Sequence, residues 1–152
     1  MDKVRPCECL AMLVADKVIR EDRTHKVYIL GTFNSIFSQN FPTVHDAMHV
    51  YLALTDAAPG QHTARLQIVY IDQGLDLEEE ELLKTEGPLV FTDKLQVLEF
   101  NLEFRRVRLP KAGTLDVRFY LDDVFVASRR LRIVQQPPPP PKKDQEQAGE
   151  HS

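Results

Sequence analysis

The sequence lacks several features that would assign it to a common functional class. In 152 residues it has no tryptophan, two cysteines and six glycines. No apolar run approaches the roughly 20 residues that a membrane-spanning helix requires, so we expect no membrane segment. The formal net charge is -4, which disfavours a domain that binds nucleic acid through overall positive charge.

Motifs that mark enzymes and metal sites are also missing. The sequence contains no Gly-x-Ser-x-Gly nucleophile motif, and its glycines are too dispersed to form a phosphate-binding loop. Cys7 and Cys9 have no Cys-x-x-Cys motif to complete a zinc site. His45 and His49 are at helical spacing, but their segment is predicted to be extended. We therefore expect no enzyme, no metal and no cofactor.

The N-terminal region predicts a cytoplasmic protein. A short apolar run, Leu10 to Ala15, is too short for the apolar part of a signal peptide, and Asp16 follows where a small-residue cleavage site would stand. In the cytoplasm Cys7 and Cys9 would remain reduced and would act as small apolar side chains.

Alternation of apolar and polar residues dominates residues 9–134. From Leu98 to Phe104 every second residue is apolar, and a period of two is typical of strands with one face in the core. Turn residues recur at intervals of about 8–12 residues. The pattern predicts an all-β fold, an antiparallel β-sandwich of about seven to nine strands that is immunoglobulin-like or related. A closed barrel would show the same alternation.

Three local features are predicted within this pattern. Asp122-Asp123 is a tight hairpin turn. Apolar residues change from even to odd positions near Ala127-Ser128, which indicates a β-bulge there. The segment Leu75 to Lys84 is ambiguous, because its acidic run Glu78 to Glu81 permits either a solvated edge or a helical turn ended by Gly87-Pro88.

The domain boundary is predicted from proline. Five of the ten prolines are consecutive, Pro137 to Pro141, and few apolar residues follow them. We expect a β-sandwich domain at residues 1–135 and a disordered proline-rich tail at residues 136–152 that begins as a polyproline II spacer.

Three segments together are similar to a known family. They are Val14 to Ile19, Ile29 to Ile36 and Phe41 to His45. They resemble a family of small bacterial proteins classed as a domain of unknown function. The resemblance covers most of residues 9–134 and implies an all-β domain. It implies no catalytic residue and no ligand.

Two groups of residues are candidates for binding. Phe33, Phe37 and His45 lie in a short irregular stretch that either closes one end of the core or forms a ligand pocket near residues 33–45. Arginines in two late strands would form one basic patch if those strands ended together, or would pair with carboxylates on neighbouring strands. They are Arg105, Arg106, Arg108, Arg129, Arg130 and Arg132.

The sequence favours a non-enzymatic protein-interaction or accessory module. An edge strand, a loop end or the arginines would bind another protein, and the arginines would suit an acidic one. The alternative is a small-ligand or carbohydrate-binding β-sandwich, although the absence of tryptophan counts against sugar binding. An enzyme that uses Asp16 and His45 as an acid–base pair is the least favoured interpretation.

Overall fold

The computed structural model describes residues 5–74 and 78–141. Within these ranges the chain forms nine strands and no helix, and therefore no helix that could cross a membrane. The strands are β1 (Glu8–Arg20), β2 (Val27–Thr32), β3 (Ser35–Ser38), β4 (Thr43–Thr55), β5 (Gly60–Ile71), β6 (Glu79–Phe91), β7 (Leu98–Leu109), β8 (Gly113–Leu121) and β9 (Val124–Gln135).

The strands form two open sheets that enclose one core. The four-stranded sheet has the order β2-β1-β4-β7, and the five-stranded sheet has the order β3-β9-β8-β5-β6. All pairs are antiparallel except β3 with β9, which is parallel. Alternate residues of both sheets fill the core, including the fully buried Leu52, Leu66 and Leu131. The predicted β-sandwich is confirmed. The closed barrel is wrong because, in the part of the chain that the structure describes, the edge strands of each sheet pair with no further strand.

The hairpin between β8 and β9 follows the predicted turn chemistry. Asp122 and Asp123 have φ values of 51° and 63°, as a two-residue turn with positive φ at both positions requires. The register shifts where Phe119 faces Ala127 and Tyr120 faces Phe125. The extra residue is Val126, so the predicted bulge lies one residue before the expected position.

The helical turn considered for the acidic segment is wrong over its described part. Glu79 to Lys84 are extended in β6 and pair with β5, whereas residues 75–77 lie outside the described residues. Gly87-Pro88 does not end the strand, because β6 is at the edge of its sheet. An edge strand tolerates proline, since its missing N–H can face the unpaired side.

The chain leaves the sandwich after β9. The backbone N–H of Gln136 donates to the Ser38 carbonyl oxygen at 2.8 Å. Pro137 to Pro141 are exposed and have no regular secondary structure. The rest of the predicted tail, residues 142–152, lies outside the described residues.

Candidate protein-interaction edge

The β1–β2 hairpin extends past Ala15, the last residue of β1 that pairs with β4. We call this extension, residues 17–30, the arm. Pairing between the two strands extends to Arg20 and Val27. At the base of the arm Gly31 has a φ of +71°, and a Cβ atom there would lie 2.6 Å from Asp16 Oδ2. Glycine is needed at this position because an L side chain would be both strained and too close to Asp16.

The arm covers the outer face of the four-stranded sheet. Tyr51 and Ala53 alternate with core residues of β4 and face away from the core, yet they are only 8% and 6% exposed. The Arg20 guanidinium donates to the Glu99 carbonyl oxygen at 3.1 Å, which ties the arm to β7. The Tyr51 hydroxyl donates to the Glu99 carboxylate. Burial and this hydrogen bond raise the pKa of Tyr51 to about 12.

The other side of the arm exposes apolar side chains. Ile19, Tyr28 and Leu30 are 40%, 48% and 49% exposed. Tyr28 and Leu30 belong to β2, whose six residues include no charge. Within residues 5–74 and 78–141, β2 pairs with β1 and with no other strand. Alternate backbone N–H and C=O groups of an edge strand point away from its sheet without a strand to pair with. We name β2 with the exposed Ile19 the β2 edge.

The other three sheet edges carry features that discourage strand addition. β7 has charged residues along its length, β6 contains Pro88 and acidic residues, and β3 has four residues. Charge, proline and short length are the means by which proteins protect exposed edges. Among the described edges, β2 is the one without any of these protections, so it is the strongest candidate for a binding site.

The structure separates the aromatic residues predicted to form a pocket. Phe33 packs against the core with its ring centroid 5.6 Å from that of His45. Phe37 lies on β3 beside the buried Ile36, faces outward and is 56% exposed. Phe33 and His45 therefore help to close the core, and Phe37 does not join them in a pocket.

The first arginine triplet lies on the outer side of the four-stranded sheet. Arg105, Arg106 and Arg108 are exposed residues of β7. The Arg105 Nε–H donates to Glu103 Oε1 at 2.9 Å, so this arginine pairs with a carboxylate on its own strand. Arg106 has a φ of 55°. The alternation of β7 shifts at this residue, so the buried positions are even before it (Phe104) and odd after it (Val107 and Leu109).

The second triplet belongs to the other sheet. On β9, Arg130 and Arg132 alternate with the buried Leu131, so they face outward from the five-stranded sheet. Arg129 is half-buried and donates to Asn34 Oδ1 at 3.0 Å. Because the core lies between the sheets, Arg130 and Arg132 face the opposite side of the molecule from the arginines of β7, and Arg129 has the inward parity of Leu131. The structure does not bring the six arginines into one patch.

The cysteines lack the environment of a reactive thiol or a metal site. Cys7 is 3% exposed. Burial, together with the nearby Cys9, Asp122 and Asp56, raises the pKa of Cys7 to about 11, so its thiol stays protonated at neutral pH. Within residues 5–74 and 78–141 no three His, Cys, Asp or Glu side chains are grouped as a metal site requires.

A histidine joins the β8–β9 turn to the start of β5. His62 Nδ1 lies 2.6 Å from Asp122 Oδ2, and His62 Nε2 lies 2.6 Å from the Ala58 carbonyl oxygen. These two contacts raise the pKa of His62, since only the imidazolium can donate from both nitrogens. Burial alone would raise the pKa of Asp122, but hydrogen bonds from the Thr63 N–H and His62 lower it.

These contacts predict a pH-dependent contribution of His62 to stability. A raised histidine pKa stabilises the fold below the unfolded-state pKa of about 6.5, and this stabilisation is lost as pH rises through the folded-state value. We expect His62→Gln to lower the free energy of unfolding by about 1 kcal/mol near pH 6 and by less near pH 8.5. Urea unfolding at both pH values measures the difference. A difference that grows with pH would contradict the proposed imidazolium.

Comparisons with known proteins give a family without an assigned activity. No curated protein matches the chain. Among solved structures, the chain is similar to the alkylpurine DNA glycosylase AlkC of Pseudomonas fluorescens, bound to DNA containing an abasic site analog. That match has a TM-score of 0.48 and 10% sequence identity, and it covers 85% of this chain and 30% of the glycosylase. The model of a family of unknown function, DUF6941, matches residues 10–134, which confirms the resemblance to an uncharacterised family. The protein belongs to this family, DUF6941.

Proposed function

We propose that the protein is a non-enzymatic interaction module that binds another protein by accepting one of its extended segments at the β2 edge. The observation that supports this is the uncharged β2 strand, whose outer edge meets no other strand among the described residues and which exposes Tyr28 and Leu30. In strand addition, backbone hydrogen bonds supply affinity, and alternate side chains supply specificity.

The β2 edge also indicates the chemistry of the partner. Because Val27 to Thr32 carry no charge, the added strand needs apolar or aromatic side chains beside Tyr28 and Leu30 rather than acidic ones. An acidic partner is therefore less well supported than the sequence suggested, since the arginines face opposite sides. We place this interaction in the cytoplasm, where Cys7 and Cys9 would remain reduced.

A charge on the β2 edge tests the proposal. Leu30→Lys places an ammonium on the exposed edge, and we expect the amount of partner captured from native cells to fall at least about tenfold. Because Leu30 is 49% exposed, the free energy of unfolding should change by no more than about 0.5 kcal/mol.

The matched control is Val90→Lys on β6. Val90 is 56% exposed and also lies on an edge strand, so it receives the same charge in a similar setting. This variant should capture the partner as the unaltered chain does. Equal loss in both variants, or no loss in either, would contradict binding at the β2 edge.

A further inference from the structure

An apolar cavity opens between the two sheets on the side of β6 and β7. These strands are the adjacent free edges of the two sheets. The cavity has a volume of about 120 Å³. It lies at the opposite edge of the four-stranded sheet from β2, so it is independent of the proposed strand addition.

Two small residues create the cavity. Ala64 on β5 faces Gly87 on β6, and both line the cavity. A Cβ atom at Gly87 would meet no atom within 4 Å. Leu66 and Leu89, the neighbouring inward residues of the two strands, are large. The small side chains of the Ala64–Gly87 pair therefore leave a space on the inner face of the sheet, whereas Leu66 and Leu89 occupy the positions beside it.

The walls are suited to a ring. Phe100 and Phe119 both line the cavity, with their ring centroids 5.9 Å apart. Leu66 and Leu102 complete the apolar surface. An apolar protein cavity of about 150 Å³ binds benzene, so a cavity of about 120 Å³ is close to the size of one aromatic ring.

The polarity of the cavity defines which ring-bearing molecules fit. Glu86 is the charged residue beside the cavity, but it alternates with the inward Gly87 along β6, so its carboxylate lies on the outer face of the strand, 3.7 Å from Lys84 Nζ. A charged ligand would lose hydration here without gaining a charged partner, so a neutral ring is favoured.

We infer that this cavity binds a single aromatic ring carried by a neutral small molecule. The ring fills the space beside Gly87 and contacts Phe100 and Phe119. Any polar group that the molecule carries points out of the opening into solvent. Because the ring is small and the cavity is partly open, the dissociation constant is expected on the order of 1 mM.

Nuclear magnetic resonance of the full chain tests this inference with three probes. Benzyl alcohol should cause saturable shifts of the methyl signals of Leu66 and Leu102. Benzylamine and benzoate should each bind at least about threefold more weakly, because their charges would lose hydration without a partner in the cavity. The absence of saturable shifts with all three probes, or the tightest binding by either charged probe, would overturn the proposal.

A cavity-filling variant supplies the second arm of the test. Gly87 does not have a positive φ, so Gly87→Leu places a side chain in the cavity without backbone strain. Binding of benzyl alcohol should weaken at least about tenfold while the chain stays folded. Val90→Leu, on the outward face of the same strand, should bind benzyl alcohol as the unaltered chain does. Unchanged binding by folded Gly87→Leu would overturn the proposal.

Discussion

Replacing Arg118 with alanine is expected to lower the free energy of unfolding by about 3 kcal/mol. Arg118 lies on the outer face of the five-stranded sheet beside Asp116, which is 4% exposed. Its Nε–H donates to Asp116 Oδ2 at 2.9 Å, and its Nη atoms donate to both Glu79 carboxylate oxygens at 3.2 and 2.7 Å. These bonds raise the pKa of Arg118.

The size of the effect comes from the carboxylate that would be left behind. Asp116 Oδ1 is buried and has no hydrogen-bond partner among the described residues. Without Arg118, both oxygens of a buried carboxylate would lack a donor, which is far less favourable than losing an exposed ion pair. The ion pair with Arg118 therefore offsets the free-energy cost of burying the Asp116 carboxylate.

Urea unfolding of three variants separates this explanation from simple loss of packing. Arg132→Ala, on the same outer face, should change the free energy of unfolding by no more than about 0.5 kcal/mol. The double variant Asp116→Leu/Arg118→Met should return to within about 1 kcal/mol of the unaltered chain, since no buried charge remains. A double variant as unstable as Arg118→Ala would show that charge burial is not the cause.

Gly31→Val is expected to destabilise the arm by about 2 kcal/mol. The φ of +71° is unfavourable for a β-branched residue, and the new Cβ atom would displace Asp16. The arm would then separate from the outer face of the four-stranded sheet. Because burial contributes to the raised pKa of Tyr51, ultraviolet titration should show this tyrosine ionising at lower pH in the variant.

Gly60→Val is the matched control for Gly31→Val. Gly60 has a φ of +121° and nothing within 4 Å of an added Cβ atom, so the substitution introduces backbone strain away from the arm. It should lower stability and leave the Tyr51 titration unchanged. An unchanged Tyr51 titration in Gly31→Val would show that the arm does not depend on this glycine.

Local patterns predicted the strands and several of their connections. The alternation around Leu98 to Phe104 indicated a strand with one buried face, and Asp122-Asp123 indicated a two-residue turn. Both depend on neighbouring residues alone. The helical turn near Glu79 was wrong because pairing with β5 outweighs the local helical preference of glutamate.

The candidate site depends on pairing between distant segments, which local patterns do not reveal. The position of Val27 to Leu30 at a sheet edge follows from the partners of β1. Likewise, Arg130 and Arg132 of β9 face the opposite direction from the arginines of β7 because the strands belong to different sheets. The sequence shows that β2 carries no charge. This composition indicates a binding edge only when β2 is compared with the three edges that charge, proline or short length protects.

Hydrogen exchange of the chain, free and bound to its captured partner, tests the central claim most directly. Strand addition forms new backbone hydrogen bonds, so those amides of Val27 to Thr32 that point away from β1 should exchange at least about tenfold more slowly in the complex. Amides of β6 and β7 should not change. Slower exchange confined to β6, β7 or β9, with β2 unaffected, would contradict binding at the β2 edge.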